Sequence, residues 1–245
     1  MSKLNKSRDG KFVTSIHDAS IVLKKLNLLR GKNMSWRKAS EDFLKVSKQD
    51  DYKLMYDTAV NHMDYNLILE DGSIFQFEKE ANDDLRFAYI QTPYNYISFC
   101  DFLLSFNDEQ EIPTDLEDLQ QLKILYETDY EQMLAEQGCN SRVSYFRYDV
   151  DSARYMPNIH SYAHLHVGIG NDIRIPCATI LTPVAFVVFV IKQVYKDSWE
   201  SCLKDDAKKE IVLHYAQDRI LLDDERWSDI EKKELGNHLF LHIAH

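Results

Sequence analysis

Apolar residues near helical period open the chain. Between Ser15 and Leu29 they fall at Ile16, Ala19, Ile21, Val22, Leu26 and Leu29, and Ser35–Val46 repeats the pattern from a serine N-cap. A third helix is expected over Asp51–His62, and residues 1–13 read as a polar, loose arm. The period then shortens to two. Tyr65–Leu69 and Ser73–Phe77 flank Asp71-Gly72, a hairpin-turn dipeptide, and Leu85–Ile90 makes a third strand. Thr92-Pro93 then has the form of a helix start, with Thr as N-cap and Pro at the first helical position, for a helix reaching Phe106.

The second half repeats this alternation. Thr114 and Glu117 have capping-box spacing for a helix to Gln137, with Gly138 as its stop. Strands are expected at Val143–Val150, Tyr162–Ile169 and Ile173–Ile175. Thr182-Pro183 then opens a very apolar helix through Tyr195. Two further helices are expected near Trp199–Gln217 and Glu225–Leu235, before a His-rich tail. Three strands followed by Thr-Pro and a helix thus occur twice, at 65–106 and 143–195. That order favours antiparallel hairpins backed by helices over a βαβ wind. The expected fold is α+β: an antiparallel sheet packed by helices in a core of residues 63–196. A basic helical segment (1–62) precedes it and a helical segment (197–245) follows.

Composition narrows the classes. Hydrophobic residues make up 44% of the 245, enough for a real core, while 7 Gly and 5 Pro disfavour a glycine-rich nucleotide fold. Cys100, Cys139, Cys177 and Cys202 form no CxxC pair and no disulfide framework. The N-terminus has no apolar core of the signal-peptide kind, and the longest apolar run, Val184–Ile191, is too short to span a bilayer. A reduced, cytoplasmic protein with no membrane partner is expected. Net charge is −11, yet residues 1–50 carry 12 Lys+Arg against 5 Asp+Glu. Only that fifth offers a broad basic footprint for nucleic acid. The stretch 107–137 holds ten acidic residues and one lysine, a face suited to a basic protein partner or to the chain's own basic segment.

The chemistry concentrates in two strands. Side chains alternate between the faces of a strand, so Tyr145, Arg147, Asp149 and Asp151 share one side, and Tyr162, His164, His166 and Gly168 share another. An antiparallel pairing through residues 152–160 would gather Arg147, Asp149, His164 and His166 into one cluster, with His160 and Arg174 at its rim. Tyr148, on the alternate face, is added to Arg174 as a candidate substrate contact. Three readings fit. In the first, histidines act as general acid and base while arginines offset phosphoryl charge, without a metal. In the second, His164, His166 and Asp149 hold a divalent cation. In the third, the network satisfies its own hydrogen bonds and stiffens the sheet. Weaker candidates are Cys177 as a nucleophile and His238, His242 and His245 as a tail metal site.

His164-Leu165-His166 resembles the metal-binding strand of HUH endonucleases, which would make Tyr195 the nucleophile. The longer pattern is Arg147-Tyr148-Asp149, His160, His164-Leu165-His166-Val167-Gly168, Arg174-Ile175-Pro176, and Thr182-Pro183 with a helix ending in Tyr195. It resembles a bacterial family of unknown function. The resemblance covers the middle of the chain and leaves the basic N-terminus and C-terminal helices outside. It implies a place to look and no activity. A shorter Arg-Tyr-Asp and His-x-His arrangement is similar to small bacterial toxin proteins thought to cleave RNA. The leading expectation is a nuclease-like effector acting on phosphodiester bonds in a toxin or phage-defence setting. Arg147, Asp149, His160, His164 and His166 would be its catalytic residues, with no cofactor or one divalent metal. The rival is a non-catalytic subunit that assembles with a protein partner or with itself.

Overall fold

The computed structural model describes residues 3–33, 38–95, 97, 99–106, 115–136, 143–169, 173–223 and 225–232. They divide into two compact units, residues 1–91 with 144–245, and residues 92–143.

The larger unit is built on a seven-stranded antiparallel meander. Its strands are β1 (Leu29–Lys32), β2 (Leu67–Leu69), β3 (Ile74–Lys79), β4 (Leu85–Ile90), β5 (Tyr145–Val150), β6 (Ala163–Val167) and β7 (Ile173–Pro176), hydrogen-bonded in that order. The Asp71-Gly72 turn forms as its sequence demands. Gly72 takes φ of 87°, which only glycine adopts without strain, and Asp71 accepts from the Ser73 amide at 2.9 Å. The smaller unit is inserted between β4 and β5, two neighbours in the sheet, so their pairing closes a long loop.

One face of the sheet is apolar and carries the core. Phe75, Phe77, Phe87, Tyr89, Tyr148 and Val150 are buried there against α7 (Pro183–Val194), whose Phe186 ring lies 5.8–6.5 Å from those of Phe75, Phe77 and Phe87. Thr182 caps α7 as expected, accepting from the Ala185 amide. Apolar side chains surround α7 because the sheet lies on one side and α1 (Lys3–Lys25) and α9 (Asp206–Ala216) pack on others. The terminal helices, expected as separate segments, therefore pack within the same unit as the sheet. α8 (Lys196–Lys204) links α7 to α9, and a small hairpin pairs β8 (Thr179–Leu181) with β9 (Arg219–Leu221).

Several expectations need correction. Residues 3–13 belong to α1 and are not a loose arm. Its buried stripe is Ile16, Ala19, Val22, Leu23 and Leu26, with Ile21 exposed. The helix ends at Lys25, and Asn27, with φ of 55°, turns the chain so that Leu29 enters a strand. The helix placed at Ser35–Val46 is α2 (Glu41–Val46), capped by Ser40, while Ser35 lies outside the described residues. α3 (Tyr52–Asn61) forms where expected, capped by Asp51.

In the smaller unit, Thr92-Pro93 does not start a helix. The Thr92 hydroxyl accepts from the Tyr94 amide in a local turn, and α4 spans only Phe99–Phe106. The long acidic helix is two, α5 (Leu116–Leu125) and α6 (Glu127–Glu136), broken at Tyr126. The break lets the Tyr126 and Tyr130 rings both reach Phe102, at 6.4 and 5.2 Å. Asp115 caps α5; Thr114 and the stop at Gln137-Gly138 lie outside the described residues.

Candidate functional site

Strand register builds the site. The face opposite α7 carries two rows that run across four strands. One is Ala88, Arg147, His166 and Arg174; the next is Arg86, Asp149, His164 and Pro176. The alternation argument thus holds: Arg147, Asp149, His164 and His166 share one face. Arg174 stands directly across from His166, exposed on the edge strand β7.

Asp149 is the hub. Its Oδ2 accepts from Arg147 Nε at 2.9 Å and lies 3.4 Å from His166 Nε2 and 3.8 Å from His164 Nε2. Arg86 Nε approaches Oδ1 at 3.5 Å. Burial works to raise the Asp149 carboxyl, but His166 and the guanidiniums of Arg147 and Arg86 outweigh it and hold it at about 2. Burial also dominates at His164, which is 2% exposed: its imidazole is pushed down to about 4, against the pull of Asp149. His164 Nδ1 lies 3.0 Å from the Ser161 carbonyl, which can only accept. That bond assigns the ring proton to Nδ1 and leaves the Nε2 lone pair facing the carboxylate.

His160 arrives from the loop after β5. Met156 and His160 pair their backbones across a tight turn in which Asn158 has φ of 65°. The His160 ring meets that of His164 edge to face, at 4.9 Å between centroids. The C-terminal segment grips this loop. Ser228 Oγ donates to Asn158 Oδ1 at 2.7 Å, and Ser228 and Glu231 cap each other in the following helical turn. The Arg226 guanidinium lies 4.9 Å over the Tyr162 ring, which in turn packs against Tyr155.

The network does not satisfy itself. Asp149 Oδ1, His160 Nδ1 and His166 Nδ1 are all buried and none has a hydrogen-bond partner. Such atoms cost about 1–3 kcal/mol each unless something supplies the missing bond. They line a groove of about 1180 Å³ that also presents Arg86, Arg147, Arg154 and Arg174. Asp149, His164 and His166 each offer a donor atom within 4.8 Å of the others, a spacing that a small cation could draw together.

Other expected residues fall elsewhere. Tyr148 points to the α7 side, fully buried; it donates to the Thr179 carbonyl and accepts from the Leu181 amide, so it is a core residue and not a groove contact. Tyr195 is at the C-terminal end of α7, also away from the histidines. Its hydroxyl donates to Asp71 at 2.8 Å and meets Tyr89, and burial pushes it up, unlike a nucleophile. The endonuclease resemblance loses its tyrosine. Burial likewise pushes the Cys177 thiol up to about 12, which keeps it protonated. Cys100, Cys177 and Cys202 are free thiols, whereas Cys139 and His238, His242 and His245 lie outside the described residues. No described helix is long and apolar enough to cross a membrane.

Sequence reasoning missed Arg86. Alternation in Leu85–Ile90 already puts Arg86 and Ala88 on one face, but nothing local says that β4 lies beside β5.

The family model described as Uncharacterized conserved protein (DUF2290) matches residues 20–231, and the chain belongs to that family. The match is wider than the resemblance suggested: it takes in α2, α3, α8, α9 and the segment that grips the His160 loop. No curated protein and no solved structure matches the chain.

Proposed function

We propose that the protein cleaves phosphodiester bonds in the groove over β4–β7, with a divalent cation held by Asp149, His164 and His166. The observation that carries this reading is the set of three buried atoms that lack a hydrogen bond, Asp149 Oδ1 having only the Arg86 ion pair at 3.5 Å, in a groove that also presents Arg147 and Arg174. A network kept only for rigidity would pair its own atoms. Here His164 Nε2 and Asp149 Oδ2 face each other as two acceptors 3.8 Å apart, an arrangement that calls for a positive centre between them. Two imidazoles and one carboxylate suit Mn²⁺, Fe²⁺ or Zn²⁺ better than the all-oxygen preference of Mg²⁺ or Ca²⁺.

The roles follow from position. Arg147 and Arg174 flank His166 along one row and would bracket a phosphate, since a guanidinium fork matches phosphate oxygens. A cation in the site would polarise that phosphate and lower the pKa of a bound water. In hydrolysis, water oxygen adds to phosphorus and one ester P–O bond breaks. The water gives up a proton to a basic group, and the departing oxygen takes one. His160, half-buried in the groove lining, would be the side chain to exchange one of these protons.

The direct test is purified protein on mixed RNA and DNA, with and without added Mn²⁺, Zn²⁺ or Mg²⁺. Cleavage is expected with Mn²⁺ or Zn²⁺ and lost in the His164→Ala/His166→Ala double variant. Absence of cleavage under every condition, or cleavage that survives the double variant, would refute the reading.

A further inference from the structure

Resting on that phosphodiester reading, we propose that the groove takes a short single-stranded oligonucleotide of about three nucleotides and grips it by phosphates rather than bases. Four features converge on this substrate class. First, the cationic track is short. Arg86, Arg147 and Arg174 stand on β4, β5 and β7, a span of about 14 Å at the usual interstrand spacing. That reaches about three consecutive phosphates of a strand.

Second, the track is fenced. Glu78, Glu80 and Asp84, in or next to β3 and β4, line the groove, as do Asp50 from the loop before α3 and Asp151 just after β5. A strand that continued past the arginines would carry its next phosphates onto these carboxylates. Two further cations line the groove, Lys48, two residues before Asp50, and Arg154, which lies 3.5 Å from Asp151, so each has a carboxylate close to it in sequence. Third, the chain as a whole carries net charge −11, so phosphates far from the arginines meet a predominantly acidic body. Fourth, among the described residues no Phe, Tyr or Trp lines the groove. Aromatic platforms are what sequence-tolerant binders of long single strands use to stack successive bases. Their lack here leaves phosphate contacts as the source of affinity. A volume of about 1180 Å³ is a little above that of small-molecule pockets. It accommodates a few nucleotides and not the width of a duplex.

The experiment measures binding of wild-type protein to phosphorothioate oligonucleotides, which resist cleavage, over lengths from about 2 to about 16 nucleotides and at several salt concentrations. Affinity is expected to level off by about four nucleotides, with log K falling against log salt at a slope near −2, as about three phosphate contacts on a single strand require. Between 50 and 200 mM salt that is a loss of roughly twentyfold. Affinity that climbs through the whole series, a slope of about −5 or steeper, or equal binding of duplex would overturn the proposal.

Asp50→Asn/Glu80→Gln removes part of the fence and touches none of the proposed machinery. It is expected to raise affinity for the longest strands by about threefold while leaving the dinucleotide unchanged; an equal gain at every length would overturn it. Two further outcomes separate this inference from the reading beneath it. Should no oligonucleotide bind while bis(4-nitrophenyl) phosphate is hydrolysed in a His164- and His166-dependent manner, the length inference fails and the phosphodiester reading stands. Binding at the expected lengths with no hydrolysis of the ordinary phosphodiesters keeps the substrate class and removes the reaction.

Discussion

The two faces of the central sheet obey different rules. On the α7 side, Phe75, Phe87, Tyr148 and Phe186 interlock with nothing left over, and even the Tyr148 hydroxyl has both a donor and an acceptor. On the other side, at the same strand positions shifted by one, Asp149 and His166 are also buried, yet each leaves a polar atom without a hydrogen bond. The same backbone therefore supports one face whose polar atoms are paired and one that leaves buried polar atoms without hydrogen bonds. Burial alone does not distinguish them; satisfaction of the buried polar atoms does.

That contrast can be broken or sharpened by substitution. The largest loss of stability is expected from Phe186→Ala, about 3–5 kcal/mol in chemical denaturation, because a cavity opens where three rings meet α7. Asp149→Ala should cost somewhat less, about 2–3 kcal/mol, by leaving Arg147 and Arg86 without their counter-charge in a partly buried site. If Asp149→Ala proved as stable as wild type, the hub described above would be wrong. Ser228→Ala is expected to cost about 1 kcal/mol through the lost cap. It should also shift the His160 ring resonances in NMR spectra, leave those of His166 in place, and be rescued by Ser228→Thr. Unmoved His160 resonances would show that the C-terminal segment does not set that loop. The smallest change of stability, within about 0.5 kcal/mol, is expected for exposed Arg174→Ala. Its effect belongs in KM for a phosphodiester, and a normal KM would remove Arg174 from the groove's function.

Much of this was legible in the chain. The β4 strand, the Asp71-Gly72 turn, the Thr182 cap and the one-sided Arg147, Asp149, His164 and His166 set follow from local period and capping chemistry. What escaped depends on distant partners. Arg86 joins the site only because β4 pairs with β5 across the inserted unit. Thr92-Pro93 and Thr182-Pro183 are locally alike, but only the second has a sheet and two helices to bury the helix that follows. Strands β1, β8 and β9 are three or four residues long, too short for a period to show. The grip of Ser228 on Asn158 joins residues 70 positions apart.

The central claim is that the histidine face awaits a ligand that Asp149, His164 and His166 would hold together. Calorimetric titration of Mn²⁺ into chelator-treated protein tests it most directly, independent of any substrate. One equivalent should bind to wild type and none to the His164→Ala/His166→Ala variant, with both proteins shown folded by circular dichroism. No binding to wild type, or equal binding to both, would contradict it.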